Sequence, residues 1–346
     1  MHEDFSLHSY DYFLPKELIA DYPAIPKESA KLMVYDRKND EIFHSDFYHI
    51  FDFIPKESLI VLNDTKVIKA RIYGRKKSGG NIELLYHQEI GQNSYLVQIK
   101  GKVKEGTHIS LVNGYESVIE ETRDDGYRIV KFFYQGSELN LKGVLEMLDK
   151  IGHTPLPPYI KRPDEKLDIS EYQSVFAKNL GAVAAPTASL HFSPTALQRL
   201  KKEFSHCFLT LHVGAGTFSA VEAQDIRSHQ IHSERLVLSP MSMEKIDNAK
   251  SILCVGTTAL RSVEYYARLK NINKEKTLYS ECDVFLHPGN KVIKANHLLT
   301  NFHLPKSSLI MLVSSMIGVQ KCKELYEIAI ENKYRFYSYG DGMLIL

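Results

Sequence analysis

Residues 82–134 read IELLYHQEIGQNSYLVQIKGKVKEGTHISLVNGYESVIEETRDDGYRIVKFFY, and the reading of this stretch decides the fold class. It breaks into short alternating runs at 82–86, 95–100, 107–112, 117–121 and 127–134, punctuated by Gly91, Asn113-Gly114 and Asp124-Asp125-Gly126. Period-two alternation turns one side of each run toward a core, and Asn-Gly or Asp-Gly steps supply the positive φ that tight hairpins need. Ser78-Gly79-Gly80 marks another turn upstream. From about Val67 to Tyr134 the chain therefore predicts about six short antiparallel strands, a number that suits a small barrel.

Outward from this region the texture changes. Leu139 to Lys150 has helical spacing, with Gly152 as its stop, and Pro155-Leu156-Pro157-Pro158-Tyr159 makes a stiff connector rather than a floppy linker. Ser193-Pro194 opens a helix as N-cap and first-turn proline. Strand and helix then alternate: CFLTLHV at 207–213, SMEKIDNAK at 242–250, SILCVG at 251–256, TTALRSVEYYARLK at 257–270. Two helical runs, 307–318 and 321–333, precede a last strand, MLIL at 343–346. Such alternation predicts a largely parallel sheet with covering helices. The expected fold class is α/β: a mixed α/β domain built from residues 1–66 and 153–346, with an all-β barrel of residues 67–152 inserted.

The chain has 346 residues, 43 Lys+Arg against 42 Asp+Glu, and 44% hydrophobic residues. That length suggests about two domains. A formal charge of +1 excludes a polybasic tail, an acidic disordered activator and a protein that coats nucleic acid by bulk charge. Cysteines at 207, 254, 282 and 322 form no C-x-x-C pair, so they read as thiols of a reducing compartment. The first residues lack the basic, then apolar, pattern of a signal peptide, and the longest apolar run, near Leu309–Val313, is too short to span a bilayer. A cytoplasmic protein is expected.

Several motifs carry chemistry, each with a plainer alternative. Gly214-Ala215-Gly216 follows an apolar strand and could let a ligand approach the backbone, or be only a tight turn. Val255-Gly256-Thr257-Thr258 sets amides and two hydroxyls at a helix N-terminus, where an N-cap is the alternative. His191, in a run of small residues after Thr187, could move a proton or be a satisfied core histidine. His229-x-x-His232-x-Glu234 has metal-like spacing, but Glu234 as an orienting carboxylate is more economical, so no metal is expected. Thr300-Asn301-Phe302-His303 packs hydrogen-bonding groups before a helix, as a site or as a polar cap. Lys66, Lys69, Arg71, Arg75, Lys76 and Lys77 form a basic run with no acid between Asp64 and Glu83, which suits phosphates or a solvated hairpin.

Taken in order, LNDTKVI (62–68), PLPPYIKRPD (155–164), GAVAAPTASLHF (181–192), TLHVGAGTF (210–218), HSE (232–234), VGTTALR (255–261), LLTNFHLPKS (298–307) and YRFYSYGDGMLIL (334–346) resemble the S-adenosylmethionine:tRNA ribosyltransferase-isomerases of queuosine biosynthesis. The resemblance implies a hemibarrel-like catalytic domain with an inserted β-barrel. It implies S-adenosylmethionine as co-substrate and ribosyl donor, and a tRNA carrying 7-aminomethyl-7-deazaguanine at the wobble position as acceptor. Epoxyqueuosine-tRNA, adenine and methionine would be the products. It further implies His191 and His212 in proton transfer and Glu234 orienting or balancing the sulfonium. Thr187, Gly214, Gly216, Thr257, Thr258, Arg261, Asn301 and His303 would hold the co-substrate, Arg261 through a fork-like carboxylate contact. Lys66, Arg71, Arg75, Lys76, Lys77, Lys161 and Arg162 would meet tRNA phosphates. No membrane partner is implied, and a monomer is favoured. Lys27 and Lys31 stand where the family usually has arginines, and Ser280-Glu281-Cys282-Asp283, Asn290 and Asn296 depart from its pattern. A conventional S-adenosylmethionine-dependent RNA methyltransferase would want its glycine-rich loop after the first strand of its sheet, whereas here Gly-x-Gly follows residue 210. A non-enzymatic tRNA-binding module would leave the histidine and glycine loops unexplained.

Overall fold

The computed structural model describes residues 3–214, 216 and 221–346. Chain entry is a set of short 3-10 turns that send Leu7 and Tyr10 into the core. A hairpin, β1 (Lys31–Asp36) and β2 (Glu41–Asp46), is followed by α1 (Ile50–Phe53), β3 (Leu59–Asn63) and β4 (Thr65–Val67). Six strands come next: β5 (Arg71–Lys76), β6 (Asn81–Gly91), β7 (Ser94–Lys100), β8 (His108–Leu111), β9 (Tyr115–Thr122) and β10 (Tyr127–Tyr134). They run antiparallel in the order β10-β7-β6-β5-β8-β9, and β9 pairs back to β10, which closes the barrel. Alternate residues fill it, among them Ile82, Leu84, Tyr86, Tyr95, Val97 and Phe132. The two-residue strand β11 (Ser137–Glu138) extends β10, and helix α2 (Leu141–Ile151) lays Val144, Met147 and Leu148 on the same core. Its N-cap Asn140 accepts from Gly143 N–H at 3.0 Å.

The remaining chain adds α3 (Asp168–Glu171), β12 (Asn179–Ala182), α4 (Pro194–Glu203), β13 (His206–Leu211), β14 (Glu234–Leu238), α5 (Pro240–Asn248) and β15 (Ile252–Val255). It ends with α6 (Thr257–Arg268), β16 (Leu278–Cys282), β17 (His297–Asn301), α7 (Ser308–Ile317), α8 (Val319–Glu331) and β18 (Gly342–Ile345). Nine of these strands form one sheet in the order β16-β14-β13-β3-β15-β17-β18-β1-β2. Both faces are covered, so central strands are apolar throughout: Leu59 and Val61 enter one core, Ile60 and Leu62 the other. Ser193 and Ser239 cap α4 and α5 ahead of a first-turn proline, accepting from Ala196 and Ser242 N–H.

A largely parallel sheet is only half right. β13, β3, β15 and β17 are mutually parallel, as are β18 and β1, but β14, β16 and β2 pair antiparallel and β18 runs against β17. The sheet is mixed because hairpins and a C-terminal return strand extend a four-stranded parallel centre. No helix among the described residues is long and apolar enough to cross a membrane, and all four cysteines are buried free thiols.

Candidate active site

The four parallel central strands deliver their carboxyl ends to one edge of the sheet, where ligands of open α/β sheets bind. There β13 runs into His212-Val213-Gly214, β3 into Asp64-Thr65, β15 into Gly256-Thr257-Thr258, and β17 into Phe302-His303. Asn63, fully buried, ties three of these ends together. Its amide oxygen accepts from Leu211 and Thr65 N–H at 3.0 and 3.2 Å; its nitrogen donates to Leu211 O and to Thr258 Oγ1 at 3.0 and 3.2 Å. One side chain thus saturates its donors and acceptors on the floor of the site. The sequence reading missed this role, since all its partners but Thr65 are remote in sequence.

A small inner cavity opens at this edge, lined by Thr187, Thr257, Thr258, Asn301 and His303 with Gly256 and Val213. Gly256 has φ +90°, which only glycine adopts without strain, so the strand can turn directly into α6. Thr187 Oγ1 donates to Asn301 Oδ1 at 3.0 Å, and Asn301 Nδ2 lies 3.3 Å from His191 Nε2. The His191 ring stacks on Phe47 at 4.0 Å and does not line the cavity; its link to it runs through Asn301. Burial, then the charges of Arg335 and Lys27, push its pKa down to about 3. His303 does line the cavity, with Nε2 2.7 Å from Thr300 Oγ1, and burial holds it down to about 3. Both imidazoles are neutral at pH 7.

A second, larger space lies between sheet and barrel, and Val213 lines both it and the inner cavity. His212, Gly214, Gly216, His232 and Glu234 form its sheet side; His87, Arg123, Asp125 and Tyr127 come from the barrel. His212 Nδ1 is 2.9 Å from Thr65 Oγ1, and its ring fills the place where a side chain on Gly181 would start, 2.8 Å away. Burial, then Arg235, lowers its pKa to about 4. Gly216 leaves room for the His232 ring, 2.5 Å from an added Cβ, whereas Gly214 has open space around its Cα. Ala215 and Thr217 to Ala220, part of the same motif, lie outside the described residues.

Glu234 is buried at the start of β14. Oε1 accepts from Gly214 N–H at 3.0 Å and Oε2 takes Arg261 Nη1 at 2.5 Å. Arg261 spends its other donors on the carbonyls of Val284 and Cys282, both at 3.2 Å. The fork expected for a substrate carboxylate therefore holds Glu234 and the 282–284 backbone, and Glu234 holds Gly214. A third, small hollow lies beside this pair and is lined by His229 and His232 as well. Among the described residues no group of three or more His, Cys, Asp or Glu side chains is arranged to hold a metal ion.

The basic residues scatter. Arg75 and Lys77 are exposed on the barrel and Lys66 is exposed at its entry. Lys76 Nζ donates to Lys102 O. Arg71 pairs with Glu83 at 3.1 Å and donates to Leu156 O, and Arg162 makes a two-pronged pair with buried Asp168 at 2.7 Å. These last two serve the interior, while Lys161 beside Arg162 is exposed. Arg123 and Arg235, exposed at the cleft, were not singled out from sequence, because neither sits in a basic run.

The sequence model of the family described as "Queuosine biosynthesis protein" matches residues 7–345. The S-adenosylmethionine:tRNA ribosyltransferase-isomerase of Helicobacter pylori (strain J99 / ATCC 700824) is 58% identical over 99% of this chain and all of its own length. That of Campylobacter jejuni subsp. jejuni serotype O:23/36 (strain 81-176) is 55% identical over the whole of both. The crystal structure of S-adenosylmethionine tRNA ribosyltransferase from Thermotoga maritima superposes with a TM-score of 0.55 at 30% identity, covering 98% of this chain and 100% of that one. With a match over nearly its entire length and relatives this close, the chain belongs to the queuosine biosynthesis protein family.

Proposed function

We propose that this chain is an S-adenosylmethionine:tRNA ribosyltransferase-isomerase that acts in the cytoplasm as a monomer, with residues 1–66 and 153–346 as its catalytic domain and 67–152 as an inserted barrel. It moves the ribosyl group of S-adenosylmethionine to the aminomethyl nitrogen of 7-aminomethyl-7-deazaguanine at the tRNA wobble position, releasing adenine and methionine. The observation that carries this reading is the inner cavity at the strand ends beside a cleft between two domains, with Val213 lining both. Such a pair of spaces suits a small donor held inside and a nucleotide entering from the barrel side.

The donor supplies a sulfonium that acidifies the adjacent ribose C5′ hydrogens. The chain supplies two neutral imidazoles, His303 lining the inner cavity and His212 the cleft. His212 is oriented by Thr65 and His303 by Thr300. Neutral rings place no positive charge beside the sulfonium in the resting site; a ring that accepts the C5′ proton becomes an imidazolium and can then hand that proton to the leaving base. Glu234 sets the Gly214 amide and contributes the local negative charge. Thr257 and Thr258 offer the α6 N-terminus and their hydroxyls to the ribose and methionyl parts. His191 acts as a positioning residue through Asn301.

Product analysis tests the reading. Incubation with S-adenosylmethionine and an anticodon stem-loop bearing the modified base should release adenine and methionine in equal amounts. Appearance of S-adenosylhomocysteine and a methylated RNA would overturn it in favour of a methyltransferase.

A further inference from the structure

The barrel strand β6 carries one residue more than its partner at the rim facing the catalytic sheet. Tyr86 pairs with Val97 and Gln88 with Leu96, so His87 is the extra residue of a β-bulge. Bulges break the in-out alternation and re-aim a side chain. Here the alternation runs inward through Ile82, Leu84 and Tyr86, and His87 is turned onto the cleft wall beside Gln88. The ring is held edge-on against Tyr127 at 4.9 Å. Gln98, on the neighbouring strand, favours the protonated form of the imidazole. Nε2 is buried and has no hydrogen-bond partner among the described residues. Burial, helped by the charge of His232, outweighs Gln98 and brings the pKa down to about 4, so the ring is neutral at neutral pH and, in the tautomer with its hydrogen on Nδ1, Nε2 is a bare lone pair. Left unmatched, such an atom costs free energy, which a bound donor would recover. Across the cleft stand His232, Glu234 and Gly214, the last with open space at its Cα.

The geometry points to His87 as the barrel's contribution to the substrate site: its Nε2 accepts a hydrogen bond from the aminomethyl nitrogen of the acceptor base and holds that amine toward the sheet. This rests on the function proposed above and adds the residue that tells an aminomethyl base from plain guanine. Guanine, lacking the amine, leaves Nε2 unmatched, so discrimination comes from the same atom that positions the nucleophile.

The test compares full-length wild type, His87→Leu and His87→Gln by calorimetry, with anticodon stem-loops carrying either the modified base or guanine. Wild type should prefer the modified loop. His87→Leu should lose about tenfold of that preference, the worth of one hydrogen bond to a charged or polar amine, and lower kcat/KM for the RNA with S-adenosylmethionine affinity changed little. Gln, whose amide oxygen reaches a similar point, should restore the preference. Preference retained in His87→Leu, or lost equally in both variants, overturns the inference. Wild type that binds with this preference but releases no adenine would sink the proposed reaction and leave the His87 contact standing.

Discussion

Glu234 and Arg261 form a buried ion pair whose energetics can be taken apart. Their side chains are only 5% and 7% exposed. Glu234→Gln keeps the shape, and its amide oxygen can still accept from Gly214 N–H, but the Arg261 guanidinium is left without a counter-charge. Breaking one partner of a buried pair costs about 3–5 kcal/mol. Arg261 retains two carbonyl partners, which places the loss near the lower figure, about 3 kcal/mol. At about 2–4 °C per kcal/mol for a large domain, melting should fall by about 6 °C or more. Arg261→Met should cost more still, because it strands a buried carboxylate and also deprives the Val284 and Cys282 carbonyls of their donors.

The double variant is decisive. With Arg261 already Met, adding Glu234→Gln removes the stranded charge, so the double variant should be more stable than Arg261→Met alone. The assay is thermal unfolding of the four proteins at one pH and salt concentration. Additive losses, with the double variant the least stable, would refute the pairing as the reason these two residues are buried together. Turnover separates this from chemistry: stability regained in the double variant should not bring back kcat, because the negative charge proposed to balance the sulfonium is gone.

Two other outcomes are expected. His191 and His303, held down to about 3 by burial against an ordinary 6.5, bind their protons in the unfolded chain first, so stability should fall as pH drops below about 6.5, by about 2 kcal/mol for each at pH 5; a melting temperature flat from pH 7 to 5, or a His303→Gln variant with the same pH dependence as wild type, would contradict this. Replacing Arg75, Lys76 and Lys77 together by Ala should weaken RNA binding and make the slope of log K against log salt shallower by about 2 rather than 3, because Lys76 already donates its ammonium to Lys102 O; an unchanged slope would remove this patch from the RNA path.

The barrel was legible because its determinants are local: five of its strands are bounded by Gly, Asn-Gly or Asp-Gly turns that sequence prints in order. Helix starts at Ser193 and Thr257 were legible for the same reason. The mixed character of the large sheet was not, because β18 reaches its place between β17, two helices earlier, and β1, nearly the full chain away. The site divides along the same line. Thr257, Thr258, Asn301 and His303 meet because each follows a parallel strand, a placement that strand-end motifs announce. The parts played by His191 and Arg261 depend on Phe47 and Glu234, and by Asn63 on Leu211 and Thr258. No periodicity reports such partners.

The near balance of 43 basic and 42 acidic residues now has a structural meaning. Arg71, Arg162, Arg261 and Arg268 are each committed to a carboxylate of the same chain. Cations that remain at the surface near the proposed RNA path, such as Lys66, Arg75, Lys77, Lys161 and Arg235, are few and spaced apart. An RNA held by so few phosphate contacts is bound weakly by charge alone, and it leaves readily once modified. Selectivity must then come from the nucleotide in the cleft, where an uncompensated contact such as that at His87 Nε2 penalises the wrong base instead of merely rewarding the right one. Charge brings the RNA to the protein, and the cleft decides whether it stays long enough to react.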